Sequence, residues 1–321
     1  MMFPQIANSS EFAQWRSSPS NWTALVQSIA QAEAIHAPTP RAFGTGTNLV
    51  VDLDGRFVLK LFPPIYRTQF HSERITLRQL AGCLTVPIPS LVAEGMHDGW
   101  SWLILSKLDG IIGSDAWPTL AERDKESILR QIGRTIAEVQ ALPVADLIEI
   151  KPSWSDFIAR QVEACVERHR RNGLVSRLLT DISALLASVP SVVPLDQPPV
   201  ILTGEWIPEN FLLAETVDGW TLAAVIDFGD VMTGWREYDL LGPSAFMCGG
   251  KPGRVRSLFD GYGITVNECD NAMRRRLLTL MLLHRASDLR NIWINDWESR
   301  VGMLPDLANI IWPRLDGCTE R

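Results

Sequence analysis

Between Arg41 and Phe62 the hydrophobic period of the chain shifts to two. The run RAFGTGTNLVVDLDGRFVLKLF reads as strand, glycine turn, strand, Asp-Gly turn, strand. Asp54-Gly55 is a hairpin signal between two β-rich runs. Residues 90–110, SLVAEGMHDGWSWLILSKLDG, add two antiparallel strands joined at His97–Gly99. From about Gln69 to Ala81 the pattern turns helical, with Phe70, Leu77, Leu80 and Ala81 apolar. This arrangement predicts a small five-stranded antiparallel sheet with one inserted helix. Ser106–Gly110 would then cross to a second lobe.

The rest of the chain is mainly helical in pattern. Trp22, Leu25, Ile29 and Ala32 mark a leading helix, capped by Ser20 or Asn21 and ended by Pro38 and Pro40. Leu129, Ile132, Ile136 and Val139 mark the core helix of the second lobe. Trp154, Phe157, Ile158, Val162 and Val166 form the face of one further helix, and Leu178, Leu179, Ile182 and Leu185 that of the next. Past residue 240, Met273, Leu277, Leu280, Met281 and His284 recur at helical spacing, and Leu304, Ile310 and Ile311 suggest a last packing helix. The expected fold class is α+β with two lobes, residues 1–107 and 108–321.

Thirty Lys+Arg against 37 Asp+Glu give the 321 residues a formal charge of −7. That argues against a nucleic-acid or anionic-membrane partner held by bulk charge. The five cysteines are far apart and form no CxxC, so neither a zinc knuckle nor a disulfide framework is indicated. No apolar run approaches the ~20 residues a bilayer needs, and no leader pattern opens the chain. A cytoplasmic protein is expected, as a monomer or homodimer.

Certain residues carry chemistry. Gly44 and Gly46, with Thr45, Thr47 and Asn48, form a turn whose backbone amides can approach an anion without a Cβ in the way. The turn is not GxxxxGK[ST], which disfavours a P-loop. Lys60 stands on an apolar strand, on the face of Val58 and Phe62. It is either an edge lysine that snorkels or a functional cation. Glu73, early in the following helix, could reach back to it; alternatively it is an acid favoured by the helix dipole. The segment Val200–Gly229 holds Glu205 and Asn210 in a polar loop and Asp227 at the end of an apolar strand. An Asn and an Asp converging at two hairpin ends suit Mg²⁺, which prefers hard oxygen ligands.

These elements resemble the aminoglycoside phosphotransferase family, a branch of the protein-kinase-like fold, and look closest to its hygromycin B phosphotransferases. The family's lysine matches Lys60 and its helix glutamate Glu73. Its catalytic loop, His-Gly-Asp with Asn five residues on, matches Thr203-Gly204-Glu205-Trp206-Ile207-Pro208-Glu209-Asn210. Its Ile-Asp-Phe/Trp-Gly matches Ile226-Asp227-Phe228-Gly229, and its Gly-x-x-x-Tyr-Asp-Leu matches Gly234–Leu240. The resemblance implies an ATP- and Mg²⁺-dependent kinase of a small hydroxyl acceptor, with GTP an open alternative. In that frame Gly44, Thr45, Gly46 and Thr47 cover the phosphates, and Lys60, held by Glu73, contacts them. Ser106 and Leu108 lie at the adenine. Asn210 and Asp227 hold the metal, and Glu205 orients the acceptor hydroxyl. Asp156, Glu237, Asp239 and Trp235 are candidate acceptor contacts; Asp239 is alternatively a brace for the catalytic loop. Two positions depart from the pattern. Glu205 replaces the aspartate and Thr203 the histidine, which leaves a noncatalytic nucleotide-binding protein as the rival expectation.

Overall fold

The computed structural model describes residues 3–44 and 46–315. The chain divides into two compact units. One runs to Asp109 and takes in Ala224–Val231; the other holds Gly110–Ala223 and the chain from Met232.

The first unit is built on a five-stranded antiparallel sheet: β1 (Arg41–Ala42), β2 (Leu49–Asp52), β3 (Phe57–Phe62), β4 (Leu91–His97) and β5 (Trp100–Ser106). Their order is β1-β2-β3-β5-β4. The turns expected at Asp54-Gly55 and at His97–Gly99 are present. Gly55 has φ +82, and its N–H donates to Asp52 Oδ1 at 2.7 Å. Asp98 and Gly99 both have positive φ, the backbone twist a two-residue hairpin needs. Gly95 is required by a close approach, since a Cβ there would lie 2.0 Å from the Trp102 ring.

Two helices precede the sheet. α1 (Ser9–Arg16) is capped by Asn8, whose side chain accepts from Glu11 N at 2.9 Å. α2 (Pro19–Ala32) starts slightly earlier than expected. Pro19 is at its first position, where a missing N–H costs nothing, and the Ser18 side chain makes no cap bond. Phe12, Trp22, Val26, Leu49, Val51, Leu59, Leu61, Trp100 and Ile104 form one buried cluster under the sheet. α3 (Arg67–Leu80) begins a little before the predicted start, after a 3₁₀ turn at Pro64–Tyr66. Glu73 is therefore nearer its middle than its start.

The second unit is mainly helical. It contains α4 (Gly113–Ala116), α5 (Glu122–Ala141), α6 (Trp154–Arg171), α7 (Ser176–Ala187), α8 (Val189–Val192), α9 (Leu241–Pro243), α10 (Pro252–Tyr262), α11 (Asn271–Leu283), α12 (Trp297–Arg300) and α13 (Leu307–Ile311). α5 packs along α10 at a spacing that side chains would prevent. A Cβ on Gly133 would sit 2.2 Å from Leu258 O, and one on Gly261 would sit 2.1 Å from Arg130 O. Two short ladders flank the loop from Thr203 to Asn210. β7 (Val200–Leu202) pairs with β10 (Met232–Gly234), and β8 (Phe211–Thr216) lies between β6 (Ile111–Ile112) and β9 (Gly219–Val225). No helix among the described residues is long and apolar enough to cross a membrane.

Candidate active site

Within the first unit, Lys60 lies at the centre of β3, opposite Val50 of β2 and Leu103 of β5. It is no edge lysine: its side chain is 5% exposed. Nζ lies 2.7 Å from Glu73 Oε2 and donates to Asp227 Oδ1 at 2.7 Å. One buried cation thus faces two carboxylates. Desolvation opposes the charge on Lys60, but Asp227 and Glu73 outweigh it and hold the ammonium well above the ordinary lysine value. Burial pushes the Glu73 carboxyl up to about 7, against the pull of Lys60 and with a further push from Asp227.

Asp227 does not end a strand, as the sequence pattern implied. β9 stops at Val225, and Asp227 has φ +66. A non-glycine residue held in this region carries roughly 1–3 kcal/mol of strain. Its Oδ1 also accepts from Gly229 N at 3.3 Å, which helps hold the turn.

The glycine turn has φ +94 at Gly46, a conformation only glycine adopts without strain. Thr45 lies outside the described residues. Thr47 is exposed and Asn48 is buried. A second polar row runs from this turn: Asn48 Nδ2 donates to Gln69 Oε1 at 3.1 Å, and Gln69 Nε2 to Asp230 Oδ1 at 3.3 Å. Ser106 ends β5, and its Oγ accepts from Ser90 N at 2.8 Å. Leu108 is half-buried in the segment that follows.

Within the second unit, the loop from Thr203 to Asn210 is held from several sides. Asp239 is 2% exposed and accepts from Thr203 N and Gly204 N, each at 3.0 Å. This is the bracing geometry. Burial pushes the Asp239 carboxyl up to about 6, although those two N–H groups pull it down. Asn210 is buried in a 3₁₀ turn and donates its amide to Glu205 O at 3.0 Å. Arg285 Nη2 donates to Glu205 Oε1 at 2.9 Å. His284 stacks on Tyr238 with ring centroids 4.9 Å apart, and its Nε2 lies 3.3 Å from Gly204 O.

The acceptor candidates are differently placed. Glu237 is buried and bidentate to Arg276, at 2.5 and 2.6 Å. Asp156 is exposed in the first turn of α6, where Ser153 Oγ donates to it at 2.7 Å. Trp235 is half-buried. Arg276 and Arg285 were not singled out from the sequence. Arg276 sits on a helix read for its apolar face, and Arg285 lies past the end of that helix, so periodicity signalled neither.

The sequence matches the phosphotransferase enzyme family (APH) over residues 24–276. An aminoglycoside 3'-phosphotransferase of Streptomyces fradiae is 27% identical over 169 residues. That stretch is 48% of this chain and 56% of the other, so the chain spans little more than half the length of the curated relative it matches. The fold is shared with the GDP complex of wild-type aminoglycoside 2'-phosphotransferase-IIIa, at TM-score 0.69 and 22% identity over 91% of this chain and 98% of that one. It is shared also with APH(2")-IIa in its streptomycin–ATP ternary complex, at TM-score 0.58 and 16% identity over 80% and 89%. None of these likenesses singles out the hygromycin B phosphotransferases. The family match begins inside α2 and ends inside α11, so it takes in Lys60, Glu73, the Thr203–Asn210 loop, Asp227 and Asp239; the chain belongs to the phosphotransferase enzyme family.

Proposed function

We propose that the chain transfers the γ-phosphoryl group of ATP, with Mg²⁺, to a hydroxyl of a small sugar-like or cationic molecule such as an aminoglycoside. The observation that carries this is the buried Lys60–Glu73 pair with Asp227 beside it, with both ion-pair distances at 2.7 Å. Burying one cation between two acids is expensive. A cation fixed in that way, opposite Val50 on the strand that follows the glycine turn, suits polyphosphate binding better than it suits stability. Within this reading Gly44, Thr45, Gly46 and Thr47 cover the phosphates, Lys60 contacts them, and Ser106 and Leu108 border the base.

The donor set fits a hard cation. The Asn210 amide nitrogen is tied to Glu205 O, which leaves its oxygen as the ligand atom, and Asp227 supplies a carboxylate whose side chain is 36% exposed. When bound, Mg²⁺ offsets charge on the transferred group. Glu205 orients the acceptor hydroxyl and takes its proton as oxygen bonds to the γ-phosphorus and the bond to the β-phosphate oxygen breaks. Because Glu237 and Asp239 are engaged internally, Asp156 and Trp235 are the acceptor candidates with exposed surface. The narrower resemblance to hygromycin B phosphotransferases rests on the sequence pattern.

One rival is a nucleotide-binding protein without turnover, because Glu205 and Thr203 stand where the family's loop carries aspartate and histidine. ADP and pyrophosphate release should be measured with MgATP or MgGTP across hygromycin B, other aminoglycosides, amino sugars and hydroxylated metabolites. Acceptor-dependent ADP release that collapses in Glu205→Gln and Asp227→Ala supports the kinase. Nucleotide binding without turnover on any acceptor supports the rival, and pyrophosphate release would replace both with nucleotidyl transfer.

A further inference from the structure

α1 lies before the family match begins, yet it is built into the first unit's core. Phe12 is 1% exposed and meets Tyr66 and Trp100 with centroids 5.8 and 5.9 Å apart. Trp15 meets Trp100 at 5.0 Å. The end of the helix is also fixed by α2: Trp22 Nε1 donates to Arg16 O at 3.0 Å, and Asn21 Nδ2 to Trp15 O at 2.8 Å. The backbone of Arg16 is therefore placed before its side chain does anything. That side chain crosses to the glycine turn. Nη1 donates to Gly46 O at 2.6 Å and to Asn48 O at 2.8 Å, with the guanidinium 5.9 Å from the Phe12 ring centroid.

We propose that Arg16 is a positioning residue for nucleotide binding: it draws the carbonyls of the glycine turn toward α1 and so aims the turn's amides at the phosphates. This rests on the phosphate-covering role given to Gly44–Thr47. The physical reason lies in the peptide plane. In a trans peptide the carbonyl of one residue and the N–H of the next point to opposite sides. With Gly46 O held by Arg16, the Thr47 N–H points away from the guanidinium. A turn of glycines is otherwise the most mobile of backbones, since glycine loses the most freedom on ordering. Two charge-assisted bonds from a preplaced arginine meet that entropy cost before nucleotide arrives, so less of the binding energy is spent on it. The same turn is tied on its other side by Asn48 to Gln69, so its conformation is set from α1 and α3 together.

The experiment is direct binding of MgATP to the full chain, which needs no acceptor. Arg16→Ala should weaken binding about tenfold, the scale of one lost charge-assisted hydrogen bond. Arg16→Lys should fall between, because an ammonium keeps the charge but lacks the planar fork. Asn8→Ala serves as the stability control, since it uncaps the same helix without touching the turn. The proposal stands if Arg16→Ala loses affinity while Asn8→Ala binds like wild type. It is overturned if Arg16→Ala binds like wild type. It is equally overturned if both variants weaken alike, for then α1 acts only through stability. Wild-type protein that fails to bind MgATP sinks the nucleotide reading itself and this inference with it; wild-type binding with an unaffected Arg16→Ala sinks the inference alone.

Discussion

Arg285 donates to Glu205 at 2.9 Å, so the acid two residues after Thr203 is held by a cation from beyond the end of α11. The pairing limits where the glutamate side chain can point. A glutamate has one more rotatable bond than an aspartate, and a fixed partner removes some of the rotamer freedom that bond adds. His284 meets the same loop, its Nε2 3.3 Å from Gly204 O.

Glu205→Gln should lower kcat by about 10²–10⁴, the usual range for removing a positioned acid–base group. Arg285→Ala should lower kcat by about tenfold or more while leaving the KM for nucleotide nearly unchanged, because 1 Å of misplacement costs on the order of 10². In the double variant the two losses should not add. Steady-state kinetics on the four proteins checks this, and additive losses would show that the pair does not act as a unit.

Lys60→Met should destabilise the fold by about 3–5 kcal/mol, since it leaves the buried Glu73, and Asp227 beside it, without their cation. Adding Glu73→Gln should recover part of that loss at alkaline pH, where the Glu73 carboxyl, raised further once Lys60 is gone, would otherwise ionise beside Asp227. Urea unfolding of the three proteins measures both effects. A double variant no more stable than Lys60→Met would mean that Glu73 is not a burden once Lys60 is lost.

Asp239 should make stability depend on pH in the direction opposite to a surface salt bridge. Its folded value, about 6, lies above the ordinary carboxylate value. Between about pH 4 and 6 the folded chain therefore holds a proton that the unfolded chain has released. The contribution is fully present below about pH 4 and is lost as pH rises through 6, by about 3 kcal/mol for a two-unit shift. Glu73, at about 7, adds a contribution of the same sign that extends the window upward. The stability difference between wild type and Asp239→Asn, followed from pH 4 to 7.5, should shift in favour of the variant as pH rises. A difference independent of pH would rule out the raised value.

Gly133→Ala should cost about 1–3 kcal/mol or more, as overpacking against backbone does. The new methyl would meet Leu258 O at 2.2 Å, and a carbonyl of α10 cannot swing aside as a side chain can. A thermal midpoint within a degree of wild type would show that the two helices separate freely.

The sheet was legible because hairpin signals and period two agree over short stretches, and Lys60 stood out because a charge on an apolar strand is rare. Local pattern also marked α2, α5, α6, α7 and α11, but it did not separate α1 or α10. It could not give what long-range pairing decides. Glu237 reads as an acid available to a cation until Arg276, on another helix, is seen to occupy both its oxygens. Asp239 reads equally as contact or brace, and the brace appears only through two backbone amides more than thirty residues upstream. Asp227 read as the last residue of a strand because its positive φ leaves no trace in residue type. The offset at α3 has a plainer cause: Arg67 and Thr68 are polar, so an apolar stripe starts late.

Ala224–Val231 belongs to the first unit although more than a hundred residues of the second precede it in the chain. During synthesis the first lobe must therefore wait. When Asp109 has emerged, Lys60 and Glu73 are already made, but Asp227 is not. The nascent lobe carries its lysine with one acid instead of two, and Pro87 O lacks the Val225 N–H that it later accepts at 3.0 Å. A chain released at the end of the sheet is thus an unfinished lobe, and its last stitch arrives from within the segment that builds the other unit.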